Sequence, residues 1–329
     1  MSQNARTDAD HLFEPVLEYP DEQHRARFDQ LVGMDSSKDR LVKEMLIRLD
    51  PDQLKEWSCT HHGQVLPVTS ALLDRPPVFI LAGDVGTGKT ALAESVGDPV
   101  ARALGIPAFA YRLSLAARGS GLVGEITTLV RDAFATVGEQ ARQAARVEGK
   151  ARSAFILVID EADALAQSRD NGQMHHEDRA GVNALIRGID EFARDRLPGI
   201  VILCTNRLEA IDPAVQRRSA APLLFNRPDE HQRKRVLSSF LTGLDVPDQQ
   251  LDELVALTGR RGSEPGYTYS DLTQRLAPAA VLAAFPDKAL SGDAFLHAVA
   301  TTPATPQFGI GGDTNGIGGG LGGVGGGHG

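Results

Sequence analysis

A glycine-rich loop between a short apolar run and a helical pattern restricts the fold of this 329-residue chain more than any other segment. The run 77–82 (PVFILA) is typical of a strand buried in a parallel sheet, because it lacks the polar alternation of a half-exposed strand. Residues 83–90 (GDVGTGKT) fit G-x-x-x-x-G-K-[ST], and the helix-forming stretch ALAESV follows them. This strand, loop and helix order is the context in which that pattern holds phosphate groups.

Each residue type in the loop is suited to binding phosphate groups. Glycines let backbone N–H groups approach phosphate oxygens, and the N-terminus of the following helix adds positive potential. Lys89 is expected to reach the β- and γ-phosphates, and Thr90 to offer its hydroxyl to Mg²⁺. The predicted nucleotide-binding residues of this segment are Asp84, Val85, Gly86, Thr87, Gly88, Lys89, Thr90 and Ala91.

Further apolar runs predict the rest of a sheet. Residues 154–159 (AFILVI) and 199–204 (GIVILC) have the same character as the first run, and 108–113 is a weaker example. Apolar residues recur at helical spacing between these runs, and strands that alternate with helices indicate an α/β domain with a doubly wound parallel sheet. After Pro228 four helical patterns follow without a buried-strand run, which predicts a small helical lid domain.

Composition completes the division into domains. Of the 34 glycines, 13 lie in residues 308–329, so the tail differs sharply from an otherwise ordinary globular body. The first residues are polar and too few for a core of their own. We therefore predict a polar N-terminal arm (1–27), an α/β nucleotide-binding domain (28–228), a helical lid domain (229–307) and a disordered glycine-rich tail (308–329).

Polar side chains follow the second and third buried runs. Asp160 and Glu161 come directly after 154–159, where a carboxylate next to the phosphate loop can hold Mg²⁺ and its neighbour can deprotonate a water molecule. We assign Asp160 to the metal and Glu161 to the general base. Asn206 follows the third run and is expected to hydrogen-bond the γ-phosphate or the attacking water, although an asparagine there also suits a simple turn.

Two arginines end the next segment, 212–218 (DPAVQRR). An arginine supplied by a neighbouring molecule can stabilise the charge of a phosphoryl group in transfer. Arg217 and Arg218 are both candidates for this catalytic role, and the alternative is a pair of surface arginines at the end of a helix.

Charge and cysteine content limit the classes of partner and location. The formal net charge is -9, so binding to nucleic acid is disfavoured, because nucleic-acid-binding proteins usually carry a basic surface. No apolar stretch approaches the length of a membrane helix, and the polar N-terminus lacks the apolar core of a secretion signal. These features predict no membrane partner. Two cysteines cannot build a disulfide framework, which fits a reducing compartment, so we expect a cytoplasmic location.

Taken in order, these motifs resemble those of AAA+ ATPases, and in particular the AAA branch, over about residues 28–300. The matching segments are GDVGTGKT (Walker A), FILVIDEAD (Walker B), CTN (sensor 1) and DPAVQRR (arginine finger). Residues 28–33 (FDQLVG) are similar to the segment that lies against adenine, which implies that Val32 and Gly33 bind the nucleotide. Residues 266–272 (GYTYSDL) resemble the lid segment near ribose and adenine, which adds Asp271.

The resemblance implies ATP and Mg²⁺ as cofactors, a homo-oligomer in the form of a hexameric ring, and a protein substrate that is pulled or unfolded. Within the branch, residues 178–185 and 212–228 are most similar to the pachytene-checkpoint type, which opens HORMA-domain proteins. Bacterial relatives of that type accompany HORMA proteins in antiphage signalling systems. This implies an ATPase that remodels a HORMA-domain protein.

The resemblance also implies a pore loop at Leu122, Val123 and Gly124, where this chain lacks the aromatic residue of the family pattern. Aliphatic side chains grip a substrate chain more weakly than aromatic ones. Two competing functions use the same fold: a nucleic-acid-stimulated motor or loader, and an assembly that binds nucleotide as a switch without turning it over.

Overall fold

A six-stranded sheet forms the centre of the first domain in the computed structural model, which describes residues 12–113, 125–145, 151–164 and 176–307. The strands are β1 (Leu17–Tyr19), β2 (Val78–Gly83), β3 (Ala108–Arg112), β4 (Ala154–Ile159), β5 (Gly199–Thr205) and β6 (Leu223–Phe225). Their order is β1-β3-β4-β5-β2-β6, and β1 alone is antiparallel to its neighbour. The predicted α/β fold with a parallel sheet is confirmed.

The strand register brings the predicted site residues to one edge of the sheet. Strand β5 lies between β4 and β2, with Ala82 opposite Thr205 and Ile159 opposite Leu203. All three strands run in the same direction, so their carboxyl ends meet. Three predicted parts of the site therefore follow neighbouring strand ends: the phosphate loop after β2, the carboxylates after β4 and Asn206 after β5.

Helices cover both faces of the sheet, which explains why the central strands are apolar throughout. Helices Glu125–Gln143 and His176–Arg194 pack on one face, where the rings of Phe134 and Phe192 meet edge to face at 5.5 Å. On the other face Leu41 and Met45 join a second core with Val100. The remaining helices of this part are Glu22–Gln30, Asp35–Leu49, Pro51–His62, Pro67–Leu73, Lys89–Ser95, Gly97–Leu104 and Pro213–Gln216, with 3-10 turns at Ala162–Ala164 and Leu208–Ala210.

The described part of the predicted arm lies on the α/β domain. Strand β1 pairs with β3, with Tyr19 opposite Ala108, and helix Glu22–Gln30 follows. Tyr19 is buried in the second core, and its hydroxyl donates a hydrogen bond to the backbone oxygen of Glu94. A three-residue strand carries no periodic signal, so the sequence patterns did not reveal this edge strand.

Tyr19 is expected to hold this edge strand in place, and its truncation should be costly. Tyr19→Ala empties a buried aromatic site and should lower the free energy of unfolding by about 3 kcal/mol or more. Tyr19→Phe keeps the ring and loses only the hydrogen bond, so its cost should be about 1 kcal/mol. Urea unfolding followed by circular dichroism measures both. Equal unfolding midpoints for Tyr19→Ala and the wild type would contradict this role.

The lid domain is helical in its described residues, as predicted. Its elements are Glu230–Leu241, Asp248–Leu257, the π-helix Asp271–Leu276, Ala277–Ala284 and Gly292–Thr301. Leu237, Leu254 and Phe295 form the centre of a separate apolar core. Asp229 begins the first lid helix with a capping box, in which its side chain and that of Gln232 each accept from the other's backbone. Among the helices that the structure describes, none has the length and apolar character needed to cross a membrane.

Candidate active site

The phosphate loop joins the end of β2 to helix Lys89–Ser95. Gly86 and Gly88 have φ angles of 72° and 95°, a backbone conformation that residues with a side chain rarely adopt. A Cβ atom on Gly86 would also lie 2.7 Å from Oγ1 of Thr268 in the lid. The backbone of Ser270 donates to the oxygen of Gly86 over 3.0 Å. Glycine is thus required here by both the turn and the close approach of the lid.

Lys89 lies inside the loop with only 6% of its surface exposed. Its Nζ donates to the backbone oxygens of Gly83 and Asp84 over 2.9 and 2.8 Å. Burial lowers the pKa of Lys89, while nearby acidic groups, including Asp160, oppose that change. The ammonium group therefore lies within the loop, where the motif places the lysine that binds the β- and γ-phosphates.

Thr90 and Asp160 meet at the position predicted for Mg²⁺. The Thr90 hydroxyl donates to Oδ2 of Asp160 over 2.9 Å, and the backbone N–H of Glu161 donates to Oδ1 over 2.9 Å. The Thr90 hydroxyl at the start of the phosphate-binding helix and the Asp160 carboxylate after β4 are oxygen ligands of the kind that Mg²⁺ prefers. The two residues fit the ion that the motif implies.

Glu161 is exposed at the edge of the sheet and has a φ angle of 50°. This left-handed conformation is unfavourable for a residue with a side chain, and such strain occurs most often at functional positions. Asn206 is half-buried at the end of the neighbouring strand. Between them, Thr205 donates to the carboxylate of Asp163 over 2.8 Å and so ties the ends of β4 and β5 together.

Arg112, at the end of β3, is a site residue that the sequence analysis missed. Its guanidinium group lies 3.3 Å from Oδ2 of Asp160, 2.7 Å from Oε1 of Glu94 and 3.1 Å from Oε2 of Glu14. These partners are 18 to 98 positions away in the chain. No local motif signals such a contact, so only the fold reveals it.

The predicted adenine segment borders a cleft of about 250 Å³ beside the loop. Gly33 and Thr87 line it together with Gln232 and Tyr269 of the lid. Gln232 donates to the backbone oxygen of Gly33 over 2.8 Å, and Val32 packs against the lid core. The position of this cleft between the two domains is consistent with the predicted roles of Val32 and Gly33, which stay predictions.

Asp271, predicted to bind the nucleotide, lies inside the lid. Its carboxylate is completely buried in the lid, where it accepts from the backbone N–H groups of Thr268 and Thr305 and pairs with Arg275 at 2.7 Å. Burial raises its pKa, but these hydrogen bonds more than offset that effect and the pKa is lowered. Both carboxylate oxygens are engaged within the lid, so in this structure Asp271 stabilises the lid segment, and its contact with nucleotide stays a prediction.

The two candidate arginines have different surroundings. Arg218 forms a fork with Asp190, with distances of 2.7 and 2.9 Å, and this hydrogen bonding raises the pKa of Arg218. Arg217 is exposed, and its Nε donates to the backbone oxygen of Pro213 over 3.2 Å. Within the described part of the chain, neither side chain hydrogen-bonds the phosphate loop. The predicted pore-loop residues Leu122, Val123 and Gly124 lie outside the described residues.

A family model and several known sequences are similar to this chain. The family model of the ATPase family associated with various cellular activities (AAA) matches residues 79–228. CD-NTase-associated protein 6 of Escherichia coli strain MS 115-1 is 50% identical over 306 residues, which are 93% of this chain and 98% of that protein. A protein of the same name from strain KTE188 is 40% identical over 281 residues, 85% of this chain and 92% of its own length.

Solved structures of similar chains agree with the sequence comparisons. A chain in the structure of the E. coli MS115-1 HORMA:CdnC:Trip13 complex matches with a TM-score of 0.85 at 50% identity, over 91% of this chain and 98% of that one. The structure of Rhizobiales Trip13 matches with a TM-score of 0.70 at 40% identity, over 90% and 100% of the two chains. This chain therefore belongs to the AAA family of ATPases, with the closely similar CD-NTase-associated protein 6 among its relatives.

Proposed function

We propose that the chain hydrolyses ATP with Mg²⁺ in a hexameric ring and uses this energy to remodel a HORMA-domain protein in the cytoplasm. The contact of Thr90 with Asp160, beside Lys89 and Glu161, carries the catalytic part of the proposal. The partner is proposed because a chain that is 50% identical occurs in a complex with a HORMA protein. A role in antiphage defence is also proposed, because the family resemblance of the sequence implies it.

The chain's own residues supply most of the proposed mechanism. Backbone N–H groups of the loop and Nζ of Lys89 would bind the phosphates, and Thr90 and Asp160 would hold Mg²⁺. The ion, when bound, neutralises charge on the β- and γ-phosphates. Glu161 would accept a proton from the water that attacks the γ-phosphorus, and Asn206 would orient that water or the γ-phosphate.

A neighbouring copy would complete each site with an arginine. Arg217 is the better placed of the two, because it is exposed and its described hydrogen bond reaches only its own helix. Arg218 is engaged by Asp190 and would position the segment. Contacts between unlike surfaces that close on themselves produce rings, so this arrangement supports the proposed assembly.

In the ring, Leu122, Val123 and Gly124 would contact the protein substrate in the central pore. Hydrolysis would change the position of the lid relative to the α/β domain, since the lid backbone bonds directly to Gly86 of the phosphate loop. That hydrogen bond is one described route by which nucleotide could alter the lid.

The partner can be identified with a variant that binds ATP without hydrolysing it. Tagged Glu161→Gln with ATP should enrich a HORMA-domain protein from the source cells, as mass spectrometry would detect. Lys89→Ala is the matched control, because it should form the fold without binding nucleotide and should enrich nothing. Equal recovery of all proteins with both variants would contradict ATP-dependent binding of a HORMA partner.

The competing functions make different predictions. A nucleic-acid motor would be stimulated by DNA and not by the captured protein, which the net charge of -9 disfavours. A nucleotide-gated scaffold would bind ATP with negligible turnover. A single comparison of ATP turnover alone, with DNA and with the captured protein separates the three.

A further inference from the structure

We propose that Arg227 is a positioning residue of the phosphate loop and that the C-terminal segment 302–307 holds it in place. Arg227 follows β6, in the link between the sheet and the first lid helix. The inference rests on nucleotide binding by the loop, and it is independent of the protein partner.

Arg227 connects three parts of the chain that are distant in sequence. Its Nε and Nη2 both lie 2.7 Å from Oδ2 of Asp84, the second residue of the phosphate loop. Nη1 donates to the backbone oxygen of Gly266 in the lid over 2.6 Å. It also donates to the oxygen of Thr305 over 2.8 Å, and Nη2 donates to that of Pro306 over 3.2 Å. One side chain thus joins the loop, the lid and the C-terminal segment.

The carboxylate that Arg227 holds belongs to a residue that shapes the loop. The backbone oxygen of Asp84 accepts from Nζ of Lys89 over 2.8 Å and from the Thr87 hydroxyl over 2.7 Å. Oδ1 of Asp84 accepts from the N–H of Val85 over 2.8 Å. Fixing the Asp84 side chain therefore fixes the backbone around which Lys89 and the loop are arranged.

Burial makes this ion pair more important than most surface pairs. The side chains of Arg227 and Asp84 are only 13% and 11% exposed. Removing one partner of a buried pair leaves the other charge without compensation, which is strongly unfavourable. By contrast, the ion pair of Arg235 in the lid with Asp35 in the α/β domain, at 3.3 Å, is 48% and 69% exposed and should matter little.

The C-terminal segment 302–307 is hydrogen-bonded to lid residues as well as to Arg227. The N–H and hydroxyl of Thr305 donate to the buried carboxylate of Asp271 over 3.0 and 2.6 Å. The Tyr267 hydroxyl donates to the backbone oxygen of Thr302. Because the backbone oxygens of Thr305 and Pro306 accept from Arg227, the segment completes the environment of both charged groups.

Two C-terminal truncations separate this segment from the glycine-rich tail. Deleting residues 309–329 leaves every contact described above, so affinity for a fluorescent ADP analogue should stay within about twofold of wild type. Deleting residues 303–329 also removes Thr305 and Pro306 and should raise the Kd about tenfold, as Arg227→Ala should. Adding Arg227→Ala to the longer deletion should have little further effect, because both changes disrupt the same link.

Arg235→Ala is the matched control and should bind ADP like the wild type. Arg227→Lys, which keeps the charge without the fork, should give an intermediate Kd. Hydrogen exchange at residues 83–90 without nucleotide gives a second measure, which should rise for Arg227→Ala and for the 303–329 deletion. Wild-type affinity and wild-type exchange in either variant would overturn the proposal. A wild-type chain that binds no ADP would instead contradict the assigned nucleotide site, and the exchange comparison would still decide the role of Arg227.

Discussion

Glu161→Gln is expected to reduce the ATP turnover number by at least about a hundredfold, the lower end of the effect of general base catalysis. An amide cannot accept the proton of the attacking water, while the size of the side chain is preserved. The phosphate loop and the Thr90–Asp160 pair are unchanged, so the Kd for ATP should remain close to that of the wild type. Phosphate release measures the first quantity, and a fluorescent ATP analogue measures the second.

Glu209→Gln is a suitable control for this substitution. Glu209 lies after β5 with 76% of its side chain exposed, and its described partner is Arg207 at 3.7 Å. The control removes the same charge without touching the site and should hydrolyse ATP normally. Normal turnover by Glu161→Gln would show that Glu161 is not the general base.

Arg217→Ala should have the next largest effect, because an arginine supplied by a neighbouring subunit contributes about a thousandfold or more to the rate. Arg218→Ala should lose less, about ten- to a hundredfold, if it only positions the segment through Asp190. Arg194→Ala, which removes an arginine that is 71% exposed, should leave the rate unchanged. Steady-state phosphate release with the three variants gives the comparison.

Mixing variants tests whether Arg217 acts between subunits. An Arg217→Ala subunit has an intact phosphate loop, and a Lys89→Ala subunit has an intact arginine. In a random equal mixture about a quarter of the junctions combine the two intact halves, so part of the lost activity should return. Absence of recovery at every ratio, with assembly of mixed rings verified by mass spectrometry, would contradict a shared site.

The sequence predicted the elements whose signal is local. The central strands β2, β4 and β5 each appear as an uninterrupted apolar run, and the predicted run 77–82 differs from the observed strand Val78–Gly83 by one residue at each end. The phosphate loop was equally predictable, because its function depends on residues adjacent in the chain. Strand β1 was missed because three residues at a sheet edge, of which only Tyr19 is buried, produce no periodic pattern.

Contacts between distant residues account for the rest of the site. Arg112 and Arg227 reach carboxylates far along the chain, and their positions depend on strand order and on the lid. Asp271 was assigned to the nucleotide from a family resemblance, but its burial beside Thr305 could be seen only in the folded lid. The choice between Arg217 and Arg218 likewise required the position of Asp190.

ATP hydrolysis by this chain is proposed to remodel a protein partner. The most direct test follows hydrogen exchange in the HORMA-domain protein captured by Glu161→Gln while the wild-type chain hydrolyses ATP. We predict that exchange in the partner increases with the wild type and ATP, and remains at its basal level with ADP or with Glu161→Gln and ATP. Unchanged exchange in the partner during continued ATP hydrolysis would contradict the claim.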